Sequence, residues 1–122
     1  MATRGEIILS SFGFKFGSPQ SNIYFDVTFL PNPVRLPEKN LFDELDQEMF
    51  DFVAESIEAK ELISKIAEFA EFMSTFDQVR IGVGCNSGRH RSVIIVEEVA
   101  RVLSEVGLKP VITHRDSHYK RK

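Results

Sequence analysis

The chain has one cysteine and no tryptophan in 122 residues. A lone thiol excludes an intramolecular disulfide and gives no hint of secretion. No apolar run approaches the ~20 residues that cross a bilayer. The opening Met1-Ala-Thr-Arg-Gly-Glu6 lacks the apolar centre of a signal peptide. These absences lead to the expectation of a cytoplasmic chain with no membrane association. No repeat, low-complexity tract or interdomain linker interrupts the sequence, so residues 1–122 are read as a single domain, with the basic end 117–122 expected to be flexible. Three histidines and one cysteine at these spacings make no zinc signature, so no metal site is expected. No Gly-x4-Gly-Lys-Ser/Thr run is present and no motif calls for a cofactor.

What is present is ordinary for a globular chain in amount, with 43% hydrophobic and 27% charged residues. It is unusual in kind: eleven phenylalanines point to a Phe-rich core. The net charge of −3 hides a segregation. From Glu38 to Asp77 there are twelve acids and three lysines, whereas the remainder holds six acids and twelve bases. The bases gather at Arg89, Arg91 and Arg101 and at the end, Arg115, Lys120, Arg121 and Lys122. A basic face of this kind can meet a phosphate or a nucleic acid despite an acidic overall balance.

Periodicity gives the elements. Glu6 to Ser11 reads as a strand, and Asn22 to Phe29 alternates as a second, stopped by Pro31 and Pro33. Phe42, Leu45, Met49, Phe52 and Val53 recur at helical steps, and so do Leu62, Ile63, Ile66, Phe69, Ala70, Met73 and Phe76. Ser56 is placed to cap the second helix. Arg80 to Cys85 is a short buried strand, a helix runs from about Arg89 to a stop at Gly107, and Val111 to His114 is the last strand. The order β-β-α-α-β-α-β makes an α/β layered fold with a mostly parallel sheet of about four strands flanked by helices. In such sheets ligands sit beyond the carboxyl ends of the strands. Topology puts Cys85, Asp26 and His114 to Asp116 there.

The run Cys85-Asn-Ser-Gly-Arg-His-Arg-Ser92 is a glycine-containing turn from strand to helix. Backbone N–H groups and the positive end of a helix dipole converge in such a turn, which suits a phosphate-sized anion. Asn86, Ser87, Gly88, Arg89, His90, Arg91 and Ser92 are the expected phosphate-binding residues. The spacing Cys-x5-Arg-Ser also resembles the loop of the cysteine-dependent phosphatases. That alternative makes Cys85 the nucleophile, Arg91 the phosphate clamp and Ser92 the group assisting departure of the thiol ester, with Asp26 or Asp116 as acid. Such phosphatases carry a histidine before the cysteine, where this chain has Gly84.

A second likeness is broader. Ser11-Phe-Gly-Phe-Lys15, Phe25-Asp26, Phe29-Leu-Pro-Asn-Pro33, Gly84-Cys85, Gly88, His90-Arg-Ser-Val93 and His114-Arg115 resemble the C-terminal domain of the RapZ family, from about Ile7 to the end. Where the family loop reads Gly-Cys-Thr-Gly-Gly, this chain has Asn86 and Ser87. The family's N-terminal kinase-like domain with its Walker loop has no counterpart in the sequence. The resemblance implies a binding module for a phosphorylated metabolite, in particular an amino-sugar phosphate such as glucosamine-6-phosphate. It further implies an RNA-binding, regulatory adapter role with contacts at Lys120, Arg121 and Lys122, a protein partner, and self-association into a homo-oligomer. It carries no catalytic residue.

Of the residues flanking the loop, Asp26, His114 and Arg115 are expected to line the pocket. For Asp26 the competing reading is a turn residue bonded to nearby backbone. For His90 it is a hydrogen bond that steadies the loop.

Overall fold

The computed structural model describes residues 4–120. Four strands, β1 (Ile7–Gly13), β2 (Ile23–Asp26), β3 (Val79–Cys85) and β4 (Val111–His114), form one sheet in the order β2-β3-β1-β4. Every neighbouring pair is parallel. Three helices, α1 (Gln47–Ala54), α2 (Ile57–Ser74) and α3 (Arg91–Glu105), complete the α/β fold. Alternation decides which face of each strand meets them. Ile7 and Leu9 of β1 join Val79, Ile81, Val83 and Cys85 of β3 in one apolar cluster with Ile66 of α2 and Ile95 and Val99 of α3.

The opposite face explains the glycines of β3. A Cβ on Gly84 would lie 2.5 Å from Phe12 Cζ and 2.8 Å from Phe14 Cε2, and one on Gly82 would lie 2.7 Å from Ser21 Oγ. The space that side chains would occupy is filled instead by rings. Phe12, Phe14 and Tyr24 meet edge to face with centroids 4.9 to 6.2 Å apart, and the Arg115 guanidinium lies 5.5 Å from the Phe12 centroid. Such contacts add to plain burial.

Helix starts follow their caps. The Ser56 hydroxyl accepts from Ala59 N at 3.2 Å, as its position before α2 predicts. Gly107, at φ +86°, follows α3 in the left-handed conformation that ends helices. The first strand extends to Gly13 rather than Ser11, and three further boundaries differ from the sequence reading for a local reason. The second strand was expected to reach Phe29 but ends at Asp26, whose Oδ1 accepts from Thr28 N (2.9 Å) and Thr28 Oγ1 (2.7 Å) and turns the chain. The apolar repeat that begins at Phe42 becomes helical only at Gln47, because Asp46 caps there, accepting from Met49 N at 2.8 Å. The third helix starts at Arg91 rather than about Arg89, since Gly88 has φ +72° and His90 lies outside the helical region.

Register sets the level of each strand end. Gly13 is opposite Cys85 and Asp26 is opposite Gly84, whereas His114 is opposite Ser11, two residues deeper in the sheet.

Candidate functional site: an amide-lined loop between β3 and α3

The loop from Asn86 to His90 rests on the end of β1. A Cβ on Gly88 would lie 2.5 Å from Gly13 N and 2.6 Å from the carbonyl carbon of Phe12. Two glycine backbones therefore touch where no side chain fits. The Asn86 carbonyl accepts from Lys15 N at 3.2 Å, which ties the loop to the 3-10 turn Phe14–Phe16. With the chain so bent, the N–H groups of Asn86, Ser87, Gly88, Arg89 and His90 have no acceptor among the described residues. Those of Arg91 and Ser92 open α3, whose first backbone bond is Ile94 N to the His90 carbonyl at 3.0 Å. A run of successive amides thus precedes a helix start, where the helix adds about half a positive charge. Ser87 and His90 are 6% and 4% exposed. A backbone amide that is buried and left without any acceptor costs about 1–3 kcal/mol.

Arg91 is 8% exposed, and its Nη1 donates to the carbonyls of Thr28 (2.6 Å) and Leu30 (3.3 Å). This half of the guanidinium fastens the turn after β2 to the start of α3. No buried side-chain nitrogen or oxygen among the described residues lacks a partner, and Nε and Nη2 of Arg91 have no protein acceptor, so they remain accessible. His90 Nε2 donates to the Asp43 carbonyl at 2.8 Å, the loop-steadying bond that competed with ligand contact in the sequence reading. Its pKa lies below the ordinary value. Burial is the main cause, and repulsion from Arg89 and Arg91 adds to it against the opposing effect of Asp43. The neutral ring is thus maintained partly by the positive surroundings that favour an anion beside it.

Cys85 is 3% exposed and its Sγ donates to Ser92 Oγ at 3.3 Å. The pair lies directly beneath the loop and links the last residue of β3 to the first turn of α3.

The flanking residues separate into two groups. Asp26 is an exposed turn residue whose Oδ1 holds Thr28. It contacts the site indirectly, since the Thr28 carbonyl holds Arg91. His114 is level with the strand interior rather than with the loop. Its Nδ1 meets Ser11 Oγ at 2.7 Å and its Nε2 meets Glu97 Oε2 at 2.8 Å, with side chains 9% and 7% exposed for His114 and Glu97. A carboxylate accepts, so Nε2–H is the donor of the pair with Glu97. Both nitrogens therefore join β1, β4 and α3 to one another. Arg115 donates to the carbonyls of Ser18, Gly13 and Gly17, and to Asp116. Asp116 accepts in turn from Gly13 N at 2.7 Å. Arg115 and Asp116 thus brace the end of β1 under the loop. The sequence reading did not single out Glu97, a carboxyl in a helix whose neighbours suggested only core packing. It also missed the turn at Asn40–Asp43 that meets His90.

Lys120 is exposed, and Tyr119 before it packs edge-on against His114 at 5.9 Å. Arg121 and Lys122 lie outside the described residues.

Fold and loop together define an α/β domain whose β3–α3 turn lies at the carboxyl edge of a parallel sheet. Residues 5–118 match the family described as the RapZ C-terminal domain. The chain belongs to that family. Among curated relatives, a nucleotide-binding protein of Thermodesulfovibrio yellowstonii is 39% identical over 117 residues, covering 90% of this chain and 41% of the relative. One from Geobacter sulfurreducens is 38% identical, with 90% and 41% covered. One from Ruminiclostridium cellulolyticum is 44% identical over 114 residues, with 87% and 39% covered. The chain spans about two fifths of the length of these relatives. No helix among the described residues is long and apolar enough to cross a membrane.

Proposed function

We propose that this domain binds the phosphate group of a small metabolite in the loop Asn86–Ser92, in a regulatory rather than a catalytic role. The observation that carries the reading is the run of loop amides without protein acceptors, set at a helix start beside the accessible half of Arg91. A phosphate dianion matches several of those donors at once. An amino-sugar phosphate is the first ligand to test, and RNA, a protein partner and self-association belong to the same adapter reading.

NMR titration of the chain with inorganic phosphate and glucosamine-6-phosphate tests it. The amides of Ser87 to Ser92 are expected to shift together, and the His90 ring pKa is expected to rise as the dianion arrives. Asn86 is exposed, so Asn86→Asp places a like charge at the seat without disturbing the core, and is expected to weaken binding. Shifts confined to other parts of the sheet, or an Asn86→Asp variant that binds as well as the parent, would overturn the reading.

The hydrolase alternative has one observation in its favour, the 3.3 Å contact of Cys85 Sγ with Ser92 Oγ. Against it, Asp26 is engaged in its own turn with Thr28, and Asp116 accepts from Gly13 N and from Arg115. Hydrolysis of an aryl phosphate that disappears in Cys85→Ser would reject the pure binding module. Unchanged phosphate affinity in that variant, with no turnover in the parent, supports it.

A further inference from the structure

Phe72 and Phe76 are 58% and 72% exposed at the end of α2. Their rings meet edge to face with centroids 5.2 Å apart. The segment that carries them is held by its own hydrogen bonds. Phe76 N and Asp77 N donate to the Met73 carbonyl (3.1 and 3.3 Å), and Thr75 N and Oγ1 donate to the Phe72 carbonyl (3.2 and 2.7 Å). Gly5 N donates to the Ser74 carbonyl at 2.7 Å. Arg4 Nη1 donates to the Glu71 carbonyl and to Ser74 Oγ, both at 3.0 Å. The last carbonyls of the helix are thus satisfied within the chain. What remains uncovered here is apolar surface and negative charge.

From Glu68 to Asp77 there are three carboxylates and no lysine or arginine. Glu68 and Glu71 form no ion pair among the described residues. Lys65, about one turn before Glu68, is paired with Glu61 at 3.0 Å. The rings differ in the same respect from exposed phenylalanines elsewhere. Phe16 has Lys15 Nζ 5.2 Å from its centroid, and Phe42 has the Arg89 guanidinium at 5.9 Å. No cation of the described residues stands over Phe72 or Phe76. Lys65, Glu68, Phe69, Glu71, Phe72 and Thr75 line an open groove of about 480 Å³, which has room for several side chains.

We infer that the end of α2 is a docking surface for a basic segment of a partner protein, which sets an apolar side chain against Phe72 and Phe76 and pairs lysine or arginine with Glu68 and Glu71. Charge decides the occupant. A polyanion is repelled by the three carboxylates and by the negative end of the helix dipole. A lysine or arginine can lay its stem along Phe72 with its charge over a ring face and a carboxylate within reach. Exposed aromatic rings are frequent anchors of protein interfaces. Rings already ordered before the partner arrives lose little entropy on binding. The inference rests on the adapter part of the reading above and adds the partner's chemistry. Phosphate binding stands or falls separately, because this surface precedes β3 and the β3–α3 loop follows it.

NMR titration of the whole chain with two synthetic amphipathic peptides of the same pattern, one of leucine and lysine and one of leucine and glutamate, tests this. The leucine–lysine peptide is expected to shift the amides from Glu68 to Asp77, and the leucine–glutamate peptide to shift none of them. Phe72→Ala with Phe76→Ala is expected to weaken binding about tenfold or more. Glu68→Gln with Glu71→Gln is expected to weaken it severalfold at low salt, a difference that fades at high salt. The glutamine pair keeps the test decisive if the alanine pair disturbs the fold. Glu58→Gln, at an exposed acid in the first turn of α2, is expected to change nothing. Absence of shifts with either peptide, equal binding of the two, shifts centred on another acidic stretch, or full affinity in both variant pairs overturns the inference. So does an alanine pair that dissociates an oligomer of the parent in sedimentation equilibrium, because the face then belongs to a second copy of the chain.

Discussion

Gly88 is the residue on which the shape of the β3–α3 loop depends, and replacing it with alanine separates two costs. The first is conformational. Gly88 has φ +72°, and an L-residue held in that region loses roughly 1–2 kcal/mol. The second is steric. The added Cβ would lie 2.5 Å from Gly13 N and 2.6 Å from the Phe12 carbonyl carbon, both backbone, so no rotamer change relieves it. Either β1 or the loop must move, at a further cost of about 1–3 kcal/mol. The sum is about 2–5 kcal/mol, a lowering of Tm by roughly 8–20 °C for a domain of this size. Gly107→Ala is the control. It has a similar φ of +86° but nothing within 4 Å of the new Cβ, so only the conformational cost remains, roughly 1–2 kcal/mol and about 4–8 °C. Urea and thermal denaturation of both variants give the comparison, and amide shifts on phosphate addition show whether the loop survives. Gly88→Ala should also lose phosphate binding, because lifting the loop off β1 disperses its amides. Equal destabilisation of the two variants would refute the close approach of Gly88 and Gly13, and with it the account of why the loop is bent.

Two further outcomes follow from the buried histidines. The His90 pKa is depressed in the folded chain, mainly by burial, so below the ordinary value near 6.5 the unfolded chain binds more protons and stability falls with falling pH. Thermal denaturation between pH 7.5 and 5.5 should show that slope, and His90→Gln, which retains an amide donor for the Asp43 carbonyl, should flatten it; an unchanged slope contradicts the burial argument. Glu97→Leu leaves His114 Nε2 buried without its acceptor and should destabilise by about 2–4 kcal/mol, whereas an effect below about 0.5 kcal/mol would show that this bond carries no weight.

The sequence made the catalogue of elements legible where local physics governs them. Ser56 and Gly107 carry their positions in their own chemistry, a hydroxyl that caps and a residue without a Cβ. The β3 strand and its glycine-bearing turn could be read because alternation and Gly88 leave few conformations open. Phe42 and Leu45 misled the reading of α1, because an apolar spacing is the same whether it lies on a helix or on a turn that packs on one. Only the Asp46 cap decides between them, and its bond to Met49 N is local but not periodic. Asn22 to Phe29 misled in the same way, since the side chain of Asp26 competes with the strand ladder for the backbone.

The sequence alone therefore determined the α/β class and the glycine-bearing turn from β3 to α3, because these rest on side-chain periodicity and on glycine. Tertiary structure decided what each polar group around that turn does. It drew half of Arg91 to Thr28 and Leu30, enclosed His114 between Ser11 and Glu97, and bound Arg115 to the carbonyls beneath the loop. It also left Phe42 outside. These are pairings between residues far apart in the chain, and a polar group's partner is set by which backbone packing brings within about 3 Å of it.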